Sequence, residues 1–562
     1  MAILLILASA NIGSGEELEI SPLPGEVGTL PATPGGVLEL DLAGAYQLAL
    51  SRNLNLNVGR YDLAIADANL RGSGGIFDPV LFASVNGDFT RSPTSTILEG
   101  ANVAENRNTR FVLGVEQLLP SGTELGGQWN SFRGETNSEF FFLNPRWDAS
   151  LNLTLTQPLL NGFGTIVNRS QIIVADNLRA QTAVGFEVQL IRLLTDVEQA
   201  YWELVATREA VEVSQQSLAL AVQLLEETNQ RVEVGTSAPI DLVQSEATVA
   251  NRQQELIYAR NAASNAEDAL KALLGFDHLR EWDVMIETTD SYEMEPVLPE
   301  LVESIDTALE RRPAIVQQEL EMQRLAHNVK VSRNLALPTL DLTGSYGWGG
   351  VSGESTVEDP ETGEPIKIRE GWSDAAGQVF DFDFPRWTLG LNFSMPVGNH
   401  RAKEALAADR YRYDRAGAQL TALKQQIIRD VRFAVRSLED GAAAIDAAVA
   451  SRRLAVRNLE AEQTKFANGL STNFQVAEIQ DALATAQLAE IRARVDFRKA
   501  LAAYYLSTGT FLDAKGVRIT DPGAPDSAHD YWKDVEWLQF SDFKEASGKV
   551  TQPAEPVGEQ GR

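Results

Sequence analysis

The amino-acid sequence predicts a mixed membrane protein. A duplicated strand–helix unit supplies the strands of a transmembrane β-barrel and the rods of a long antiparallel helical coiled coil. Three observations predict it: an internal repeat, alternating segments with one apolar face, and heptad runs too long for a globular domain. In the repeat, Ala49 to Pro79 aligns without a gap on Ala308 to Pro338, and each segment ends in a proline that opens an alternating strand. Arg146-Trp147 before one strand matches Arg386-Trp387 before another, and Leu225 to Ser237 matches Leu459 to Ser471. A repeat of this kind builds a scaffold, so the 562 residues read as one elongated architecture rather than several ordinary domains.

Composition narrows the function classes. The formal net charge is -30, which disfavours nucleic acid as a partner because phosphates demand a basic surface. The chain has no cysteine, so thiolate chemistry, disulfides and Cys-based metal sites are excluded. Its four histidines (His278, His327, His400, His529) have no ligand spacing, and neither a metal nor a cofactor is expected.

The order of elements follows from local pattern. Residues 1–10 (MAILLILASA) resemble the remnant of a secretory signal, with an A-x-A cleavage pattern but no basic n-region. Residues 11–38 are a Pro/Gly-rich lead-in. The first repeat spans 39–274, a connector 275–298, the second repeat 299–512, and an acidic, partly disordered C-terminal extension 513–562. No stretch approaches the ~20 apolar residues of a membrane helix, so strands must make any crossing.

Six segments are candidate strands. Leu81, Ala83, Val85 and Phe89 alternate with polar residues, as do Trp147 to Leu155, Leu340 to Trp348 and Trp387 to Met395. Two weaker runs, Phe111 to Gln117 and Leu125 to Trp129, flank a tight turn at Leu119-Pro120-Ser121-Gly122. The other connections, Arg91 to Asn108, Arg133 to Pro145 and Gly349 to Pro385, are long and polar. Short turns at one end and long loops at the other are the pattern of outer-membrane barrels. Trp147, Trp348 and Trp387 fall toward the loop side, where an interfacial girdle is expected.

The helices come next. Leu190, Val197, Leu204, Val211, Leu218, Leu225 and Val232 repeat every seven residues, which predicts one helix from about Ile172 to Val234. At 1.5 Å per residue it is roughly 95 Å long. Its partner in the second repeat carries Val431, Leu438, Ile445, Leu459 and Phe466. The return helices are half as long. Pro239 to Leu274 is expected to stack end to end on Leu301 to Leu335, and Asn473 to Leu506 on Leu40 to Arg71.

This order of motifs resembles the TolC-like outer-membrane factor family across roughly Leu40 to Leu512. The local matches are Gln157-Pro158-Leu159-Leu160-Asn161-Gly162-Phe163-Gly164 at a strand-to-helix junction and the turns Val234-Gly235-Thr236-Ser237 and Asn468-Gly469-Leu470-Ser471. The resemblance implies a homotrimer in the outer membrane. Its strands would pool into one barrel, continued by a coiled-coil barrel of helices in the periplasm. It implies a passive, non-enzymatic exit duct of a tripartite efflux pump or type I secretion system. The partners would be a periplasmic adaptor and an inner-membrane pump or ABC transporter, with outer-membrane lipid around the barrel. The family usually contributes four strands per protomer; six candidates here leave both four and six open. A pore-less coiled-coil envelope protein is the alternative reading, and an enzyme finds no distinctive motif.

The resemblance also implies site residues. Acidic residues after the second tip glycine ring the pore in the family, and the matching positions are Gln475 and Glu478, with Asp481 one turn on. Asp241 holds the position that ties the helices shut through a basic partner; Ser471 stands where several members place that partner. Arg231 and Lys465 are substitute partners, or simply favourable charges at helix C-termini. Gly235, Thr236, Ser237, Gly469, Leu470 and Ser471 would receive the adaptor's helical hairpin. The acidic balance suggests a cation-favouring lumen.

Overall fold

The computed structural model describes residues 19–20, 36–94, 102–277, 279–358 and 364–520. The signal remnant, most of the lead-in and the extension beyond 520 lie outside the described residues. In chain order the elements are β1 (Glu19–Ile20), β2 (Val37–Leu40), α1 (Leu42–Arg52), α2 (Leu54–Ser73), β3 (Val80–Pro93), β4 (Val103–Leu118), β5 (Glu124–Thr136) and β6 (Arg146–Pro158). Then come α3 (Thr165–Asn168), α4 (Ser170–Glu233), α5 (Pro239–Leu274), α6 (Leu279–Trp282), β7 (Met285–Thr288), α7 (Leu301–Arg311) and α8 (Pro313–Leu335). The second repeat continues with β8 (Thr339–Glu358), β9 (Pro365–Arg369), α9 (Trp372–Phe380), β10 (Pro385–Ser394), α10 (His400–Ala467), α11 (Asn473–Thr508), α12 (Phe511–Lys515) and β11 (Ile519–Thr520).

Six strands form one antiparallel sheet in the order β10-β8-β6-β5-β4-β3, with β9 added to the far end of β8. The hairpin β4–β5 is therefore an integral part of the sheet, so all six candidate strands lie in one sheet. Register puts like residues on one rung. Leu81, Val115, Gly127, Leu153, Tyr346 and Trp387 face each other across all six strands. The neighbouring rung on the opposite face carries Phe82, Gly114, Gln128, Asn152, Gly347 and Arg386. One face is thus an apolar band and the other mostly polar, because the side-chain period is two. The strands run beyond their expected ends and the loops contract, since polar residues past the apolar band keep their ladder hydrogen bonds.

The turn Leu119–Gly122 docks on the strand-to-helix junction, where Gly164 N–H donates to the Ser121 carbonyl (3.0 Å). It lies at the helical end, as short turns should. The expected tryptophan girdle is corrected: the three residues share the apolar face but not one height. Trp348 is opposite Leu151, Trp387 opposite Tyr346, and Trp147 opposite Ser352. The first of these is partly covered by α9.

Below the sheet, α4 and α10 run as single helices of 64 and 68 residues. Leu190, Val197 and Leu204 are fully buried, and the main core lies mid-length, where α1, α4, α5 and α11 meet the parallel pair β2–β7. Phe511 and Val517, after α11, pack into the same core as Val284 and Ile286 of the connector. Toward the tip the buried stripe of α4 moves to Val213, Ser217, Ala221, Leu224 and Thr228. No helix among the described residues is long and apolar enough to cross a membrane.

The stacking of the short helices differs from expectation. α5 ends against the break between α1 and α2, where Asn53 Nδ2 donates to the Leu273 carbonyl (2.9 Å) and Arg52 pairs with Glu281 (2.8 Å). α11 ends against the break between α7 and α8, where Arg311 pairs with Asp513 (2.6 Å). So α5 continues as α1–α2, and α11 as α7–α8. Helix lengths alone fit either pairing. The choice is made by side-chain contacts at the two joints, formed around Gly275 and Gly509, both in left-handed backbone.

Candidate functional site at the helical tip

The tip is built by two helix-ending turns with one geometry. Gly235 (φ 77°) donates to the Val232 carbonyl, and Thr236 N–H to that of Arg231 (2.8 Å). Gly469 (φ 73°) donates to the Phe466 carbonyl, and Leu470 N–H to that of Lys465 (2.8 Å). These are paired Schellman turns, which satisfy the last carbonyls of α4 and α10. A Cβ at either position would meet nothing within 4 Å, so the left-handed angle alone favours glycine here. Val234 and Leu470 stand 74 % and 78 % exposed beside the turns, an apolar surface without a partner in one chain.

The two basic residues diverge. Arg231 reaches across to α10, where its guanidinium donates to the Phe466 carbonyl (2.9 Å) and lies 3.9 Å from the Phe466 ring centroid. It neutralises the C-terminus of the neighbouring helix and caps an aromatic face. Lys465 instead pairs with Glu462 (2.9 Å). Ser471 also donates to the Glu462 carboxylate. The Ser471 hydroxyl first, and Lys465 second, hold that carboxyl below the usual range.

Asp241 does not meet Arg231 or Lys465. Its carboxylate accepts from the Ala238 N–H (3.1 Å) and so caps the start of α5. Its carbonyl accepts from Asn473 Nδ2 (2.8 Å), a buried side chain that also donates to Ser245 Oγ (3.1 Å). Gln475 is exposed and contacts Ser471 Oγ (3.1 Å). Glu478 is exposed, with no partner among the described residues. Asp481 pairs with Arg252 of α5 (2.8 Å). Arg252 and Asn473 therefore make polar links between α5 and α11, and neither lies in a motif of the sequence.

Further up, α4, α10 and α11 are cross-linked by charge. Glu203 of α4 accepts from Arg492 of α11 (2.9 Å) and from Lys499. Burial alone would raise its carboxyl; the two cations outweigh it and hold it down. Glu490 of α11 binds Arg452 of α10 (2.5 Å) and Arg494 (3.0 Å). No His/Asp/Glu group with metal-binding geometry occurs among the described residues.

An apolar-banded sheet continued by four helical rods that end in a charged, turn-capped tip is the build of an outer-membrane channel protein. The chain belongs to the outer membrane efflux protein family, whose model matches residues 45–276 and 304–510. It is 22% identical over 325 residues to the outer membrane protein TolC of Vibrio cholerae (58% of this chain, 67% of the relative). It is 23% identical over 320 residues to TolC of Escherichia coli (56% and 60%). The chain thus spans about two thirds or less of the length of these relatives. The solved Campylobacter jejuni CmeC outer membrane channel superposes with a TM-score of 0.60 at 16% identity (89% of this chain, 90% of that one). The outer-membrane channel OprN gives 0.60 at 15% identity (84% and 90%). The protein is accordingly an outer-membrane protein extending into the periplasm, of a family of channels rather than enzymes.

Proposed function

We propose that three copies of this chain form an exit duct through which an inner-membrane pump, coupled by a periplasmic adaptor, discharges its cargo. One observation carries the reading: the unpartnered flanks of sheet and helices coincide. β3 and β10 are the free sheet edges, and they run in opposite directions, so β10 of one chain suits antiparallel pairing with β3 of the next. Open edges cannot stand in lipid. On the β3 side, α2 exposes Leu54, Val58, Tyr61 and Ile65 at helical spacing; on the β10 side, α10 exposes Tyr411 and Phe433.

Three such sheets give an eighteen-stranded barrel. With strands ~4.8 Å apart and tilted ~40°, its perimeter is about 110 Å, against about 75 Å for twelve strands. Twelve helices side by side at 8–10 Å need about 100–120 Å. The inserted hairpin β4–β5 therefore keeps the barrel as wide as the tunnel below it. The gate is placed at the tip, with Glu478 offered to the axis, Gln475 and Asp481 flanking it and Asp241 fixing α5. The turns at Gly235-Thr236-Ser237 and Gly469-Leu470-Ser471 receive the adaptor.

The test is single-channel conductance of the purified protein in a planar bilayer, with divalent cations titrated on the tip side. Cation-selective openings blocked by divalents, and less so in Glu478→Gln, support both duct and gate. Openings indifferent to Glu478 keep the duct and remove the gate residue. Folded oligomers that never conduct return the reading to a pore-less envelope protein.

A further inference from the structure

The apolar face of the sheet carries one unexpected object. Instead of looping into solvent, α9 folds back over that face. Its Ala375 and Val379 are buried with Ala149 against Trp129, Trp147, Leu151 and Trp348. Trp372 Nε1 donates to Ser131 Oγ (2.6 Å), two strands away from β8. The Gln378 amide accepts from Val351 N–H (2.9 Å) and donates to its carbonyl (3.1 Å), covering the edge of β8 where β10 has ended. Gly350 lets the helix backbone approach, since a Cβ there would lie 2.0 Å from the Ala375 carbonyl oxygen. The helix is thus seated at a defined place.

Its surroundings are amphipathic. Ser373 and Asp374 are exposed on the helix, and Asp381 and Asp383 follow it. Between and beside them Phe380, Phe382 and Phe384 are 65 %, 57 % and 58 % exposed. Phe380 stacks on Trp129 (5.4 Å), and Phe382 meets Trp348 edge-on (4.8 Å) while holding a left-handed φ of 61°. A bulky residue in that region costs about 1–2 kcal/mol. Water covers three phenyl rings poorly, and a hydrocarbon interior penalises the carboxylates. The headgroup boundary of a bilayer satisfies both.

Height agrees. From the rung of Leu340 and Phe393 to that of Ala149 and Gly350 is ten residues of β8. At ~3.3 Å per residue and ~40° tilt this rises about 25 Å, the height of an outer-membrane apolar band. α9 lies on the last rung, continuous with the lipid-facing surface.

We propose that α9 with Phe380, Phe382 and Phe384 is an interfacial anchor in the outer leaflet. The rings enter the acyl boundary, and Ser373, Asp374, Asp381 and Asp383 stay among the headgroups. The occupant is membrane lipid, and the anchor fixes the depth at which the barrel sits.

The absence of native cysteine makes the test direct. Nitroxide labels are placed singly at Phe380→Cys, Ser373→Cys and Leu391→Cys in the full-length protein reconstituted in phospholipid vesicles. Power saturation is read with oxygen and with a water-soluble nickel chelate. The Phe380 label is expected to favour oxygen as the mid-band Leu391 label does, and the Ser373 label to favour nickel. Gly350→Leu, which displaces the helix, is expected to move the Phe380 label toward the nickel side. A Phe380 label as nickel-accessible as Ser373, with Leu391 still in lipid, overturns the anchor. A Leu391 label in water overturns the membrane orientation of the sheet instead.

Discussion

Arg252 of α5 and Asp481 of α11 form an ion pair of 2.8 Å that bridges the two return helices near the tip. The guanidinium is largely buried while the carboxylate is 56% exposed. The pair is thus half-anchored, with one group held by packing and the other free to change partners. Asp481, a gate candidate by position, acts in the single chain as a tie between helices.

Breaking that tie should loosen the tip. Arg252→Ala or Asp481→Asn is expected to weaken the closed arrangement by about 0.5–1 kcal/mol, the range of a partly exposed pair. Closed-state dwell times in planar bilayers should shorten roughly two- to fivefold, with the double variant no worse than Arg252→Ala, which also gives up the Glu255 carboxylate (2.7 Å). Fully additive effects in that cycle would show that the two residues act separately.

The Arg231 contact with Phe466 predicts a different response at the turns. Arg231→Ala removes a charge-assisted hydrogen bond and a cation–π contact, a loss of about 1–2 kcal/mol. Amide exchange of Gly469 and Leu470 should accelerate about five- to thirtyfold, although the substitution lies on the other helix. Arg231→Lys should recover only part of the protection, because an ammonium cannot stack as a guanidinium does.

Glycine at the two joints is needed for different reasons from glycine at the tips. A Cβ on Gly275 would sit 2.5 Å from the Arg52 carbonyl oxygen, and one on Gly509 would sit 3.0 Å from that of Arg311. Gly275→Ala combines a steric clash with left-handed strain and should lower stability by about 2–3 kcal/mol. Gly235→Ala and Gly469→Ala meet only the angular cost of about 1–2 kcal/mol. Thermal melts by circular dichroism should rank Gly275→Ala as the most damaging.

The tip should also respond to acid. Glu462 has a carboxyl lowered from 4.5 by Ser471 and Lys465. A carboxylate depressed in the folded state stabilises fully above its unfolded value and loses that contribution as pH falls through the lower folded value. Protection of the Gly469 turn, corrected for intrinsic exchange, should therefore be constant above about pH 5 and decline below 4.5. Glu462→Gln should abolish the decline; an unchanged profile would remove Glu462 as its cause.

Much of this molecule is written in local pattern. Period-two segments such as Leu81 to Phe89, the heptads from Leu190 to Val232 and the doubled glycine turns depend on neighbours along the chain, so the sequence by itself determined strands, rods, tips and their order. Composition likewise excluded thiolate chemistry. Tertiary structure decided what depends on residues far apart in sequence. It joined α5 to α1–α2 and α11 to α7–α8, because helix length carries no information about which ends touch. It placed β4–β5 inside the sheet, where β4 and β5 are paired on both sides and leave no edge open. It laid α9 on the apolar face of the sheet through Gly350 and the Trp129–Trp348 surface. It also paired Arg252 with Asp481, whose side chains meet only once two helices are packed. Such contacts have no periodic signature; they arise from shape and charge brought together by the fold.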